Sequence, residues 1–211
     1  KAYRAFNLFP ILNPVAVRII LVSACLICFE VEYERYFEGA KFIHFLLGPA
    51  TVALAIPIYL TWNIVSRAKK AILMSVLLGV FFAISATYGI SWLLGLNIQT
   101  IMTLLPRNVT APIAMGISEI IGGVPSLTAI LTIVTGIVGA ALGTFTLDLF
   151  RIKNMAARGF AFGLASHGIG TARAMSKNDE AGVFAAVAMG LSGLVTAVMI
   201  PLIFFVAQGL I

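Results

Sequence analysis

Charge is what this 211-residue chain has least of. Fourteen Lys and Arg and eight Asp and Glu make up 10% of it, against 61% hydrophobic residues and a mean hydropathy of +1.06. Soluble domains are about a quarter charged and just under half apolar, and a soluble domain of this size still needs a polar exterior. So few charged residues cannot supply one, which excludes a soluble enzyme and a nucleic-acid-binding domain. The net charge of +6 does not reopen the second reading, because the basic residues sit in short loops between apolar runs, as the positive-inside rule produces. Cys is nearly absent too. Cys25 and Cys28 lie inside one apolar run with no His or further Cys nearby, and buried Cys behaves as a small hydrophobe, so neither a metal site nor a disulfide is expected, and no cofactor. No short charged region leads into an apolar stretch and a small-residue cleavage site, so no cleavable signal peptide is expected.

What the chain has in quantity is uncharged sequence. Residues 42–66, 71–106, 120–147 and 181–211 contain no Asp, Glu, Lys or Arg, giving runs of 25, 36, 28 and 31 positions. About 20 apolar residues in a helix cross a bilayer. Residues 12–29 add a further span if Arg18 snorkels toward the headgroups. The expected fold is therefore an all-α polytopic membrane protein, a single domain over 1–211, with about six to eight transmembrane or re-entrant segments. After the first span comes a polar loop, Glu30 to Gly39, with four of the eight acids.

Several apolar segments are interrupted. Gly48-Pro49 and Pro57 break 42–62, Pro106 to Pro112 break 98–122, and Gly168 and Gly170 break 159–176, while 71–95, 126–149 and 181–206 read as continuous helices. Broken backbone at membrane depth survives only where it is buried in protein or lines a cavity, and transporters build sites from such half-helices. Three broken segments point to a cavity. They also resemble one another: Leu46-Leu47, Pro49 and Thr51–Ala55 echo Leu104-Leu105, Pro106 and Thr110–Ala114, with a fainter copy at Thr171–Met175. Internal duplication and chance repetition of apolar sequence both account for this. Topology has two readings. If every segment crosses, the basic loops 67–70 and 151–158 fall on opposite faces; if 98–122 is re-entrant, they share one face, as the charge rule prefers.

Two constellations carry chemistry. In Leu105-Pro-Arg-Asn-Val-Thr-Ala-Pro-Ile-Ala114, Thr110 suits an N-cap and Pro112 the first helical turn, so a half-helix should begin there with its positive end open to an anion. Arg107 and Asn108 stand beside it; an Arg resting at the membrane interface is the plainer reading. In Gly163-Leu-Ala-Ser-His-Gly-Ile-Gly-Thr-Ala-Arg-Ala-Met175, a charge at the bilayer centre costs roughly 3 kcal/mol and usually faces a cavity. Thr171 is the expected N-cap there, Arg173 the carboxylate-binding fork, Gly168 and Gly170 points of close approach, and Ser166 and His167 donors. His167 can change charge between about pH 5 and 8, against the plainer reading of a structural His. Glu119 either faces the bundle as a proton carrier or ends a helix before Gly122-Gly123. Gly139-xxx-Gly143 and Gly159-xxx-Gly163 mark close helix packing. No nucleophile elbow or Ser-His-Asp order appears, so no enzyme is expected.

Leu12-Asn-Pro14, Tyr36–Lys41, Leu47–Ala55, Pro106–Ala114, Gly122–Ser126 and Ala157-Arg-Gly159 through Ser166–Ala174 resemble the LrgB/CidB membrane family over nearly the whole chain. The family's Pro-Lys-Ser-Val-Thr-Thr-Pro is here Pro-Arg-Asn-Val-Thr-Ala-Pro, which keeps a cation and changes the hydroxyl set. An apolar helix usually precedes the Asn-Pro motif in the family, so a trimmed chain is expected. The family includes antiholin-like regulators of autolysis and the carboxyl-terminal half of the plastid glycolate/glycerate transporter, and its bacterial members are associated with pyruvate uptake. The resemblance implies a bacterial inner-membrane protein, a homo-oligomer with a small LrgA/CidA-like partner. Two functions are expected from it and from the residues. One is secondary transport of small monocarboxylates, proton-coupled through His167 or Glu119. The other is holin-like control of murein hydrolase release. Transport requires the half-helices beginning near Thr51, Thr110 and Thr171 to converge near the membrane midplane.

Overall fold

The computed structural model describes residues 14–53, 55–60 and 62–209. Every element among them is an α-helix: α1 Pro14–Cys28, α2 Tyr33–Ala53, α3 Ala55–Leu60, α4 Trp62–Arg67, α5 Lys69–Leu93, α6 Ile98–Leu104, α7 Ala111–Ile120, α8 Pro125–Leu149, α9 Met155–Met175 and α10 Asp179–Ala207. They fall into two compact units, 1–53 and 54–211.

The first unit holds α1 and α2. Much of the acidic stretch expected as a loop is helical, since α2 starts at Tyr33, and Glu38 and Lys41 pair across one turn at 3.6 Å. The break expected at Gly48-Pro49 does not form: α2 runs through Pro49 to Ala53, and Thr51 lies in its last turn rather than opening a half-helix. A Pro this near a C-terminus removes one N–H, a loss that apolar helices tolerate when neighbouring groups re-satisfy the freed carbonyl. Cys25 and Cys28 are free thiols.

In the second unit, α5, α8 and α10 have 25, 25 and 29 residues and are apolar enough to cross a membrane. At 1.5 Å per residue each exceeds the ~30 Å hydrocarbon core. The central element is α10, whose inward face presents a small or slender residue on almost every turn: Ala181, Ala185, Ala188, Ser192, Thr196 and Ile200 are all buried. α5 runs parallel to it, with Ile72 against Phe184 and Val187 at one end and Ile84 and Tyr88 beside Ile200 and Phe204 at the other.

Between these helices stand two helical hairpins. In the first, Asn97 caps α6 by accepting from the Thr100 N–H at 2.8 Å. Ile98 and Met102 lie with Tyr88 and Phe204, at the end where α5 exits. The chain then runs inward until Asn108 and Val109 meet Gly79, Val80 and Ser192, near the middles of α5 and α10. α7 brings it back. Ile117 and Ile121 pack in one cluster with Ile101 and Leu105, and Gly123 abuts the Met102–Thr103 backbone so closely that a Cβ would lie 2.9 Å from the Thr103 nitrogen. The returning end is pinned by hydroxyls: the Val124 N–H donates to Thr103 Oγ1 at 3.0 Å, and Thr128 Oγ1 bonds the Thr103 carbonyl and Ser118 Oγ at 2.9 and 2.8 Å. Residues 98–121 are thus re-entrant.

The second hairpin is α9 itself. His167 has φ 40° and ψ −131° inside an otherwise helical run, and there the chain reverses. Gly170 lies against the Phe162 carbonyl and the Ser166 side chain. In a straight helix residues eight apart would be separated by about 12 Å. The ingoing arm runs parallel to α10, with Gly159 on the Ala181 backbone and Gly163 on that of Ala185. It runs antiparallel to α8, with Phe162 on Gly143, Ser166 on Gly139 and the His167 ring on Gly136. The returning arm carries Thr171 past Ala185 and brings Met175 to Gly182. The expected close packing at Gly139/Gly143 and Gly159/Gly163 is therefore seen directly, and it lets backbones approach as small residues do in membranes.

α5 with its hairpin and α8 with its hairpin form the same two-part unit, first residues Lys69 and Pro125, inserted in opposite directions. Hairpin 1 opens on the face where α5 ends, hairpin 2 on the face where α10 begins. The second face carries Arg67, Lys69, Lys70, Arg151, Lys153, Arg158 and Lys177, whereas 91–98, 118–127 and 203–209 contain no Lys or Arg. Re-entry of the first hairpin thus places both basic loops on one face, which the positive-inside rule turns inward.

Candidate functional site

Both hairpin tips lie along the middle of α10, the first against Ser192 and Thr196 and the second near Met189. At the first tip Pro106 and Val109 are buried, and Arg107, Asn108 and Thr110 are half-buried. Thr110 is the N-cap of α7, with φ −65° and ψ 146°, and Pro112 falls in the first turn, as expected; its hydroxyl makes no capping bond and is buried without a hydrogen-bond partner. Asn108 shares a cavity of about 10 Å³ with Ser192 and Thr196 of α10, Gly79 of α5 and Leu164 of the second hairpin. Such a space holds about one water molecule, so the first tip is closed against α5, α10 and Leu164 of the ingoing arm.

The second tip is His167, 6% exposed. Its Nε2 lies 2.8 Å from the Thr132 carbonyl oxygen. A carbonyl only accepts, so Nε2 carries a proton and Nδ1 is the ring atom that gains or loses one. The ring fills the space left by Gly136, where a Cβ would come within 2.6 Å of Nε2. A positive φ at a non-glycine residue is costly and persists only where its surroundings fix it; here the Thr132 bond and the Gly136 notch do so.

Thr171 is not the N-cap that the sequence suggested. Its Oγ1 donates to the His167 carbonyl at 2.8 Å, one turn back within the returning arm. The break lies at His167 because a non-glycine there takes the reversing conformation, leaving Gly168 exposed and Gly170 buried against the ingoing arm. Ser166 is buried beside Gly139. Arg173 is half-buried, and six residues past the tip place it about 9 Å down the returning arm. Glu119 is exposed in the last turn of α7, before Gly122-Gly123. The structure therefore gathers Asn108 and Thr110 at one tip, and Ser166, His167 and Thr171 at the other. Thr51 stands in the separately described first unit.

Sequence reasoning passed over Thr132, Ser192 and Thr196, all buried. Their signal was the four-residue spacing of small or polar residues in apolar helices: Thr128, Thr132, Gly136 and Ala140 form one buried stripe along α8. Among the described residues no three His, Cys, Asp or Glu gather as metal ligands would.

The class defined by these observations is a polytopic α-helical membrane protein with two opposed re-entrant hairpins. The model of the LrgB-like family matches residues 1–206, and the chain belongs to that family. It is 36% identical over 203 residues to YxaC of Bacillus subtilis (strain 168), covering 96% of this chain and 88% of that one. It is 33% identical over 194 residues to "Holin-like protein CidB" of Staphylococcus epidermidis, covering 92% and 85%, and 31% identical, over the same shares, to the protein of that name in Staphylococcus aureus (strain N315). No solved structure matches it.

Proposed function

We propose that this protein moves small monocarboxylates of the pyruvate, glycolate or glycerate class across the bacterial inner membrane. The observation that supports the reading is that two oppositely inserted hairpins both reach the middle of α10. α7 and the returning arm of α9 both begin at the tips, and a helix start presents unbonded N–H groups and the positive end of its dipole to an anion. Asn108, Ser192 and Thr196 add neutral polar groups around the cavity, with Thr110 at the same tip, and His167 supplies a titratable ring at the second tip, packed against Gly136 of α8. Arg107 at the first tip and Arg173 along the second hairpin supply the cations. The cavity of about 10 Å³ is too small for a three-carbon acid, so carriage requires one tip to withdraw while the other stays closed, as alternating access demands. Bound carboxylate and a proton on His167 Nδ1 would favour each other, which is the linkage that coupling needs.

A second reading has its own support. Relatives covering nine-tenths of the chain are named holin-like, and those names favour a holin- or antiholin-like role over transport. In that role the protein would control murein hydrolase release together with a small LrgA/CidA-like partner. Proteoliposome uptake separates the two. Saturable accumulation of labelled pyruvate or glycolate, with no leak of an uncharged solute of equal size, supports carriage. An unsaturable leak of both, or no flux at all, removes it and leaves the holin-like reading standing.

A further inference from the structure

Away from the tips, the base of the second hairpin holds a larger space. A cavity of about 400 Å³ opens between the end of α8, the start of α9 and the turn into α10. Its polar wall carries Lys153, Lys177, Arg158 and Asp148, and its apolar wall includes Phe162 and Ala174. Arg158 is committed within the protein: its Nη1 bonds Asp148 Oδ1 at 2.6 Å and the Ile152 carbonyl at 2.8 Å. Those two charges cancel. Lys153 and Lys177 make no ion pair among the described residues, and both are exposed, so the cavity has two uncommitted ammonium groups above an apolar floor. Asp179 and Glu180 occupy the first turn of α10, where they suit its dipole, and neither lines the cavity.

The geometry points to a site for an anionic phospholipid, its phosphate between Lys153 and Lys177 and its upper acyl carbons against Phe162. The site lies on the basic face, where the inner leaflet presents anionic headgroups, and basic pockets between membrane helices on that side suit such headgroups. Lys153 stands two residues before the ingoing arm and Lys177 two residues after the returning arm. A phosphate held by both therefore joins the two ends of the hairpin that carries His167. This assignment does not depend on what crosses the membrane.

The test reconstitutes the full chain into nanodiscs of equal phosphatidylcholine and phosphatidylglycerol and counts, by mass spectrometry, the lipid that stays bound after release. Wild type should retain phosphatidylglycerol selectively. Lys153→Gln with Lys177→Gln should weaken that retention about thirtyfold, and Lys153→Arg with Lys177→Arg should keep it. Lys69→Gln with Lys70→Gln makes the same charge change on the same face outside the cavity and should leave retention unchanged. Equal loss from both Gln pairs, or undiminished retention by the cavity pair, overturns the site. Complete displacement by excess inorganic phosphate would make free phosphate the ligand and overturn the lipid assignment. Matching unfolding temperatures of all four proteins in pure phosphatidylcholine show that loss of lipid reflects the lysines and not the fold.

Discussion

Gly163 lies where the ingoing arm of hairpin 2 meets α10, and a Cβ there would overlap the Ala185 carbonyl group. The obstacle is backbone on backbone, so no side chain can swing aside. Ordinary contact between such atoms is about 3.5 Å, so Gly163→Ala must push the arm from α10 by more than an ångström. That movement drives Phe162 against Gly143 and Ser166 against Gly139 on the other side, which are already close. Overpacking of a tight interior costs typically 1–3 kcal/mol; with two helices and a backbone obstacle, about 3 kcal/mol is expected, roughly a hundredfold in the folding equilibrium. The control is Gly116→Ala in α7, where nothing lies within 4 Å of the new atom. Ala there gains up to about 1 kcal/mol of helix propensity. Thermal unfolding of the purified proteins in one detergent should place Gly163→Ala well below wild type and Gly116→Ala at or above it. Equal midpoints for the two variants would refute the packing of this hairpin against α10.

Thr128→Val removes hydroxyl bonds to Thr103 and Ser118 at a fully buried position and should cost about 1–3 kcal/mol, whereas Thr146→Val, on an exposed face with one bond to its own helix, should change the unfolding midpoint little. Arg173→Lys should retain part of carboxylate uptake and Arg173→Ala far less, because Arg offers a planar fork and Lys a point charge; near-wild-type uptake by an inserted Arg173→Ala protein would remove Arg173 from the site. Initial uptake should rise as the pH is lowered and His167 takes up its proton, and His167→Gln should flatten the profile. Identical profiles in wild type and variant would assign the proton to another group.

The sequence shows the long helices well, because α5, α8 and α10 coincide with uncharged runs that composition alone marks. It also shows the break before α7, where an N-cap and an early Pro act locally. The reversal at His167 was displaced by a turn: Gly168 and Gly170 looked like the flexible points, but what bends the chain is a His held by Thr132, 35 residues away. Thr171 has a capping residue's chemistry and spends it on an i−4 carbonyl instead. Pro49 looked like a break and is carried inside α2. Thr51, Thr110 and Thr171 do not hold equivalent places, since the first lies in the last turn of α2, the second caps α7 and the third bonds back within the returning arm; the units that correspond begin at Lys69 and Pro125 and are inverted. Inversion leaves no local mark in a sequence, since it depends on whether a broken segment crosses or returns.

That return is the central claim, and side-specific labelling tests it most directly. With Cys25 and Cys28 replaced by Ser, single cysteines at Leu96 and Ser126 flank the first hairpin, and single cysteines at Lys153 and Lys177 flank the second; all four positions are exposed. A membrane-impermeant maleimide applied to oriented vesicles should label Leu96→Cys and Ser126→Cys from one side and Lys153→Cys and Lys177→Cys from the other. Labelling of Leu96→Cys and Ser126→Cys from opposite sides would mean that residues 98–121 cross the membrane, and the paired-hairpin account would fail.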